Sequence, residues 1–396
     1  MVFSFIYHSC VHRSVFFIFA CMAGIYVHIP MCGSRCYYCD FYSSTYHGNK
    51  EDLLKSICKE LTTRKEYLKG ESIRTIYFGG GTPSQLRVME IESILQVIKE
   101  NYDCCVEEIT LEANPEDLSL DYLQALKDCG VNRLSLGIQS FKPGDLQAIN
   151  RRHTVAKAIE SVKMAQQCGF DNISIDLIYG LPNQTLHDWQ YNLQQAVELR
   201  VQHISAYSLT FEEGTMLTKM RDRGEIKEAD EELSFEMFKL LRHTLSQNGY
   251  VPYEISNFAL PGYESKHNSS YWNYVPYLGV GPSAHSFDGQ SRRWNIANSR
   301  LYISKMAAGD TYYNIETLDT FTRYNEYVMT GLRKKEGVDI AVLETLFGKD
   351  LKEYFLRMID TYIKEGKVIK DGQHYYLSEE GIFVSDYIIE ELFWVE

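Results

Sequence analysis

The strongest constraint on the fold is an alternation that runs through the first half of the chain. Six short runs rich in β-branched and aromatic residues recur: IYVHIP (25–30), TIYFGGG (75–81), EITLEAN (108–114), RLSLGIQ (133–139), NISIDLIYG (172–180) and HISAYSL (203–209). Stretches with helical periodicity separate them, at 51–68, 84–100, 119–129, 153–168 and 186–199. DLSLDYLQALKDCG shows the type, with Leu120, Leu123 and Leu126 on one helical face and Gly130 as the stop. Strands joined through helices imply a parallel sheet with right-handed crossovers, so the fold class is α/β. In such sheets ligands gather in the loops at the C-terminal strand ends. There the sequence places Gly79–Gly81, Glu112, Gln139 and Asp176.

The alternation stops near residue 211. An acidic helical stretch (225–246) leads to a region rich in Tyr, Asn and Gly (249–299), then to a mostly helical tail. The tail ends in GKVIKDGQHYYLSEEG, where two short strands flank the turn signal Asp371-Gly372. Helices followed by such a hairpin predict a small winged-helix-like domain, whose acidic character favours packing on protein over DNA. A net charge of −13 also argues against sequence-independent nucleic-acid binding, which rests on phosphate neutralisation, while leaving room for local basic pockets. All ten cysteines lie at or before position 168, too dispersed for a secreted disulfide framework, so reduced thiols in a cytoplasm are expected. Residues 1–21 carry a short apolar run, VFFIFACMA, that imitates a signal peptide but is too short to span a membrane. The coherent strand pattern begins after Met22, so translation is expected to start there and 1–21 to be a non-native extension.

Chemistry concentrates in MCGSRCYYCDF (Met31–Phe41), where Cys32, Cys36 and Cys39 stand at C-x3-C-x2-C spacing. Three thiolates so spaced can converge on one metal centre. Structural zinc takes four ligands, typically from two C-x2-C pairs, and neither a second pair nor a nearby C-x2-H follows. A [4Fe–4S] cluster bound by three cysteines leaves one iron open for a substrate or cofactor. The GGGTP turn (Gly79–Pro83) follows a strand and opens a helix, which lets backbone groups approach a ligand closely.

Tyr26-Val27-His28-Ile29-Pro30 followed by Cys32, Cys36, Tyr38 and Cys39 resembles the radical S-adenosylmethionine (SAM) superfamily. The resemblance implies a partial (β/α)6 TIM-type barrel over 22–245, a [4Fe–4S] cluster on Cys32, Cys36 and Cys39, and SAM chelated by the open iron. Reductive cleavage of SAM then gives a 5′-deoxyadenosyl radical, for which an electron donor to the cluster is needed. It further implies SAM contacts from Tyr26, Tyr38, Gly80, Gly81 and Thr82. Glu112 would bind the ribose hydroxyls, with Gln139, Asp176 and Arg151 beside it; Arg152 competes with Arg151 for that place.

From Tyr26 to nearly the C-terminus, including DLIYGLPNQT, the chain resembles the oxygen-independent coproporphyrinogen III oxidase-like family, whose terminal domain would cover 301–396. Two functions occur there. The dehydrogenase decarboxylates coproporphyrinogen III and carries C-x3-C-x2-C-x-C with a long N-terminal segment. Here Phe41 takes the final Cys position, and little precedes the barrel if Met22 is the start. The sister group of heme chaperones, HemW, shows that Phe, a short N-terminus and H-N-x-x-Y-W, matched by His267, Asn268, Tyr271 and Trp272 within a connecting region (246–300). Without the resemblance, a lone His beside Tyr-Trp reads as a packed, hydrogen-bonded core histidine. With it, those four residues are expected to contact heme. His285 is a second candidate beside heme or SAM, or a structural histidine, and Arg292 and Arg293 either pair with heme propionates or form a solvated patch. The expected protein is a cytoplasmic heme chaperone that delivers heme to apo-hemoproteins such as membrane respiratory enzymes, associating peripherally with the membrane.

Overall fold

The computed structural model describes residues 22–46 and 48–395. The expectation about residues 1–21 lies outside them. Six strands pair in sequence order, all parallel: β1 (Met22–Ile29), β2 (Ser72–Gly80), β3 (Cys104–Ala113), β4 (Arg133–Gln139), β5 (Ile173–Tyr179) and β6 (His203–Ser208). Helices Lys50–Thr63, Val88–Asn101, Leu120–Asp128, Val155–Gln167 and Leu186–Glu198 make the crossovers. Leu123 and Leu126 are buried as expected, while Leu120, at the first helical position, stays exposed.

Each strand carries two chemically opposite faces, as its period of two allows. Ile25, Val27, Ile29, Ile76, Phe78, Leu111, Leu134, Leu136, Ile175 and Ile204 point outward under the helices and form the main core. The alternate residues, among them Thr75, Glu108, Thr110, Arg133, Ser135, Ser174 and His203, are buried on the inner face. The curved sheet therefore encloses a polar lumen.

The sheet does not close. β7 (Val251–Pro252) and β8 (Asn257–Ala259) add to the β6 edge. β9 (Tyr277–Val280) adds parallel to β1, followed by β10 (His285–Phe287), β11 (Ser291–Asn295) and β12 (Tyr313–Thr317), each antiparallel to its neighbour. The result is one twelve-stranded sheet. The segment 246–300 is thus part of the sheet at both edges. Residues 299–317, expected in part within the C-terminal domain, contribute Tyr302, Met306 and Tyr312 to the main core.

A second core, built on Tyr324, Val328, Phe355, Ile359, Tyr375 and Ile388, forms the C-terminal domain. Its order is helix Thr320–Arg333, β13 (Val338–Asp339), helices Ile340–Phe347 and Lys349–Lys364, then the hairpin of β14 (Val368–Asp371) and β15 (His374–Leu377). The hairpin turns at Gly372 with φ +58°, where a glycine is least strained. This is the winged-helix-like arrangement expected from the turn signal.

The β9–β12 extension is tied to the barrel through one buried carboxylate. Glu60, wholly buried on helix Lys50–Thr63, accepts from Arg64 Nη1 (3.0 Å), Gly281 N (2.9 Å), Asn295 Nδ2 (3.0 Å) and Tyr302 OH (2.6 Å). Arg64 in turn donates to the Gly279 carbonyl at 3.0 Å and Ser286 Oγ at 3.1 Å. Removing one partner leaves the other charge buried and unpaired. Glu60→Ala is therefore expected to lower stability by ~3–5 kcal/mol, read as a drop in the urea midpoint; Glu60→Gln, which keeps one acceptor, should lose less.

Candidate functional site

The C-terminal ends of the six parallel strands surround a cavity of about 750 Å³. One wall is the loop between β1 and helix Lys50–Thr63, and backbone contacts fix its path. Cys32 N donates to the Ser44 carbonyl (3.0 Å) and Tyr37 N to that of Ile149 (3.1 Å). Leu217 N donates to the Tyr37 carbonyl (2.9 Å), and Asn150 Nδ2 to that of Arg35 (2.8 Å). Held this way, Cys32, Cys36 and Cys39 all line the cavity, with Tyr38 beside them. Among the described residues, no three His, Cys, Asp or Glu side chains are gathered to hold a single metal ion. The three thiols stand along one side of the cavity.

Donors surround the sulfurs. Thr82 Oγ1 donates to Cys32 Sγ at 3.4 Å, and Arg151 Nη1 to Cys36 Sγ at 3.3 Å. Asn114 links the two, donating to Thr82 Oγ1 (3.3 Å) and accepting from Arg151 Nη2 (2.7 Å). Arg151 also donates to the Gly137 carbonyl. Burial raises the Cys32 thiol pKa and pushes that of Cys39 up to about 11, so both remain protonated at neutral pH unless a cation binds them.

The opposite wall comes from strand ends. The glycine turn packs where no side chain fits: a Cβ on Gly81 would lie 2.7 Å from the Met31 carbonyl oxygen, and one on Gly80 2.5 Å from the His28 ring. Glu112 accepts from Tyr77 OH at 2.8 Å and from Gly80 N at 3.1 Å. Burial, reinforced by nearby Asp176 and opposed by the Tyr77 hydrogen bond, raises Glu112 to about 7. Burial likewise raises Asp176, which accepts from Ser135 Oγ at 3.4 Å. Gln139 lines the cavity from a β-bulge with φ +69°, a left-handed backbone that a non-glycine residue adopts only when its surroundings impose it.

The expected residues divide cleanly. Cys32, Cys36, Tyr38, Cys39, Gly80, Gly81, Thr82, Glu112, Gln139, Arg151 and Asp176 share this cavity. Arg152 pairs with Glu116 at 2.8 Å, so Arg151 is the inward arginine. Tyr26 is not at this cavity. Its ring stacks against Tyr77 and His267, and its hydroxyl is hydrogen-bonded to His28 Nδ1 at 3.1 Å.

The HNxxYW residues also separate. Glu108, on the inner face of β3, accepts from the backbone N–H groups of Lys266 (2.9 Å) and His267 (3.0 Å), which draws helix Lys266–Trp272 against the N-terminal end of the lumen. His267 is 1% exposed. Its Nδ1 is hydrogen-bonded to Thr75 Oγ1 at 2.8 Å and its Nε2 to Tyr271 OH at 2.9 Å. Burial, with the Arg133 charge added, lowers its pKa to about 3. A neutral ring with both nitrogens engaged is the packed core histidine, not an open ligand, and it lies at the far end of the lumen from the three cysteines. Asn268 caps nothing itself; its N–H donates to Ser265 Oγ at 3.3 Å.

Tyr271 and Trp272 instead line a second cavity, of about 430 Å³, between the β1–β9–β10–β11 face and helix Thr320–Arg333. Tyr26, His28, Tyr42, Tyr274, Tyr277, His285, Phe287 and Arg292 share it. Phe41, 65% exposed, lines both cavities. Arg293 points elsewhere, its guanidinium 3.3 Å from the centre of the Tyr313 ring.

Sequence reasoning passed over Asn114, which sits in an Asn-Pro turn and carries no motif of its own. It also passed over Arg333, Phe383, Ser385 and Asp386 of the C-terminal domain, which close the first cavity from above. Only the tertiary fold brings these residues over the strand ends.

Residues 26–196 match the model of the Radical SAM superfamily, and residues 318–384 that of the HemN C-terminal domain. The heme chaperone HemW of Lactococcus lactis is 36% identical over 92% of this chain and 96% of its own length. That of Bacillus subtilis is 33% identical over 91% and 96%. Among solved structures, coproporphyrinogen III oxidase HemN from Escherichia coli superposes with a TM-score of 0.80 at 23% identity, covering 93% of this chain and 89% of that one. That likeness shows the fold.

The Glu112 environment makes stability depend on pH. Its carboxyl pKa is raised on folding, so between the ordinary value of 4.5 and about 7 the native state holds more protons than the unfolded chain. Stability therefore falls as pH rises through that window, and the penalty is complete above it. Glu112→Gln, an isostere of the protonated acid, is expected to raise the melting temperature at pH 8 and leave it near wild type at pH 5. Thermal melts of both ligand-free proteins at the two pH values check this.

Proposed function

The chain belongs to the radical SAM superfamily and, within it, to the heme chaperone HemW family; from that premise we propose that it binds heme and hands it to apo-hemoproteins. In this reading a [4Fe–4S] cluster and SAM occupy the cavity at the strand ends. The observation that carries it is that three thiols, a glycine cradle and the polar set Glu112, Gln139, Arg151 and Asp176 line one cavity.

The residues present fit such a group. Cys32, Cys36 and Cys39 supply three sulfur donors on one wall, and Thr82 and Arg151 donate hydrogen bonds to two of those sulfurs, the kind of outer partner that orients metal-bound ligands. Cys32, Cys36 and Cys39 would hold the cluster, which would supply the redox chemistry on SAM. Gly80, Gly81 and Thr82 would border the methionine part. Glu112 would accept from the ribose hydroxyls, for which a carboxylate with two oxygens is suited. Tyr38, Gln139 and Asp176 complete the walls. Arg151 acts through Cys36 and Asn114, since those bonds already engage its guanidinium. Tyr26, stacked on the Tyr77 that donates to Glu112, would complete the SAM contacts from inside the lumen.

Heme is the cargo, and Tyr271 and Trp272 serve as part of its apolar contact. The recipients are apo-hemoproteins, membrane respiratory enzymes among them, and an external donor supplies electrons to the cluster. Among the described residues no helix is long and apolar enough to cross a membrane. We place the protein in the cytoplasm, meeting such clients peripherally. Decarboxylation of coproporphyrinogen III is the competing reading, and Phe41 stands where that family carries its fourth cysteine.

One purified sample decides between them. Anaerobically reconstituted protein is expected to bind hemin and transfer it to an apo-hemoprotein, followed by the acceptor's absorption spectrum. Release of CO2 from coproporphyrinogen III with consumption of SAM would overturn the chaperone reading. Replacing Cys32, Cys36 or Cys39 by Ala should remove most of the iron and acid-labile sulfide from the protein while the circular dichroism spectrum is retained.

A further inference from the structure

Extending β1 by β9, β10 and β11 creates a second sheet face with its own alternation. Ser286 points into the Glu60–Arg64 network, so His285 and Phe287, one residue to either side, point the opposite way. Antiparallel pairing sets Phe287 opposite both Tyr277 and Arg292, and His285 opposite Trp294. The helix Thr320–Arg333 roofs this face without filling it, leaving the second cavity.

Three features of that cavity point to one ligand. Its walls are mostly aromatic rings, which offer flat apolar area to a planar conjugated molecule. Two histidines line it, and their states differ. His28 has Nδ1 hydrogen-bonded to Tyr26 and Nε2 to the Tyr42 carbonyl at 3.0 Å, so neither nitrogen is open. His285 is exposed, stacks on Trp294 at 6.2 Å, and has no hydrogen bond to either ring nitrogen among the described residues. Finally, the cavity carries donors for a carboxylate. Arg292 sits in its wall, paired with Glu326 at 2.9 Å and still partly exposed, and the indole N–H of Trp272 is buried without an acceptor.

Resting on the heme reading above, we propose that the second cavity is the heme site, with His285 as the iron ligand and Arg292 as the partner of a propionate carboxylate. Imidazole is a common axial ligand of heme iron, and a guanidinium presents five donors, enough to hold Glu326 and an incoming carboxylate together. His267 is then a positioning residue: through Tyr271 it fixes the wall that the ring lies against. Phe41 is shared between this cavity and the cysteine-lined one, so heme and cluster stand on two sides of one side chain.

The test is a titration of the full-length protein with hemin and, separately, with metal-free protoporphyrin, followed by the Soret band. His285→Ala is expected to shift the hemin band and weaken hemin binding ~10-fold or more, while metal-free protoporphyrin binds as in wild type. Free imidazole should restore the wild-type band to His285→Gly, which a fold defect would not allow. Arg292→Ala should weaken both porphyrins alike. An unchanged hemin band and affinity in His285→Ala overturns the assignment and leaves the chaperone reading standing. Failure of the wild-type protein to bind hemin at all overturns both.

Discussion

Everything in this molecule follows from strands that must bury two unlike faces. The outward residues of β1–β6 are aliphatic and fully covered by helices, while the inward ones are polar and nearly as buried. A low-dielectric lumen holding Arg133, Glu108, Glu112 and Asp176 is stable only if the charges balance one another across short distances. Arg133 is 1% exposed, and its charge favours the ionised forms of Glu112 and Asp176 while opposing protonation of His203 and His267. At the upper end the loops open and the carboxylates face a cavity. At the lower end Glu108 captures the first turn of helix Lys266–Trp272 and seals the lumen. The same polar interior thus makes a site at one end and a plug at the other.

Because the sheet stays open, its first strand has an edge to cover. β9 pairs there in parallel, and the Glu60–Arg64 network locks β9–β11 to the helix that follows the cysteine loop. This joins two regions that are distant in sequence: the helix that starts at Lys50, and the aromatic strands beyond Tyr277. The C-terminal domain then spans both cavities, with Arg333 and Asp386 at the first and Glu326 and Met329 at the second. A shift of that one domain would alter both openings together.

Much of this was legible in the sequence, for identifiable reasons. The six strands, the cysteine spacing and the strand-end residues Glu112, Gln139 and Asp176 are local signals, and a parallel barrel converts strand ends into neighbours. What was not legible depends on partners far along the chain. His267 turned inward because Glu108 holds its backbone and Thr75 its ring, and neither is visible from HNSSYW alone. Arg151 and Arg152 are indistinguishable in sequence; the acidic Glu116–Asp117 turn takes one and Cys36 the other. Tyr26 precedes the cysteines by few residues, yet strand direction places its ring lower in the lumen, beside His267. The segment 301–317 reads as the start of a new domain because it follows an irregular region. Tyr302 commits it to the main core through Glu60.

Phe41 gains a structural meaning from these positions. Its ring lies 65% exposed at the rim where the two cavities meet, carried by a loop whose backbone is fixed on several sides. Exposing that much aromatic surface is unfavourable by roughly 25 cal/mol for each Å² left in water, and a ligand bound at either opening would cover part of it. Position 41 borders both the cavity lined by Cys32, Cys36 and Cys39 and the aromatic cavity, so the side chain there sets what the two openings share. A phenyl ring puts a flat apolar surface at that point, where a smaller side chain would leave the two openings in wider contact.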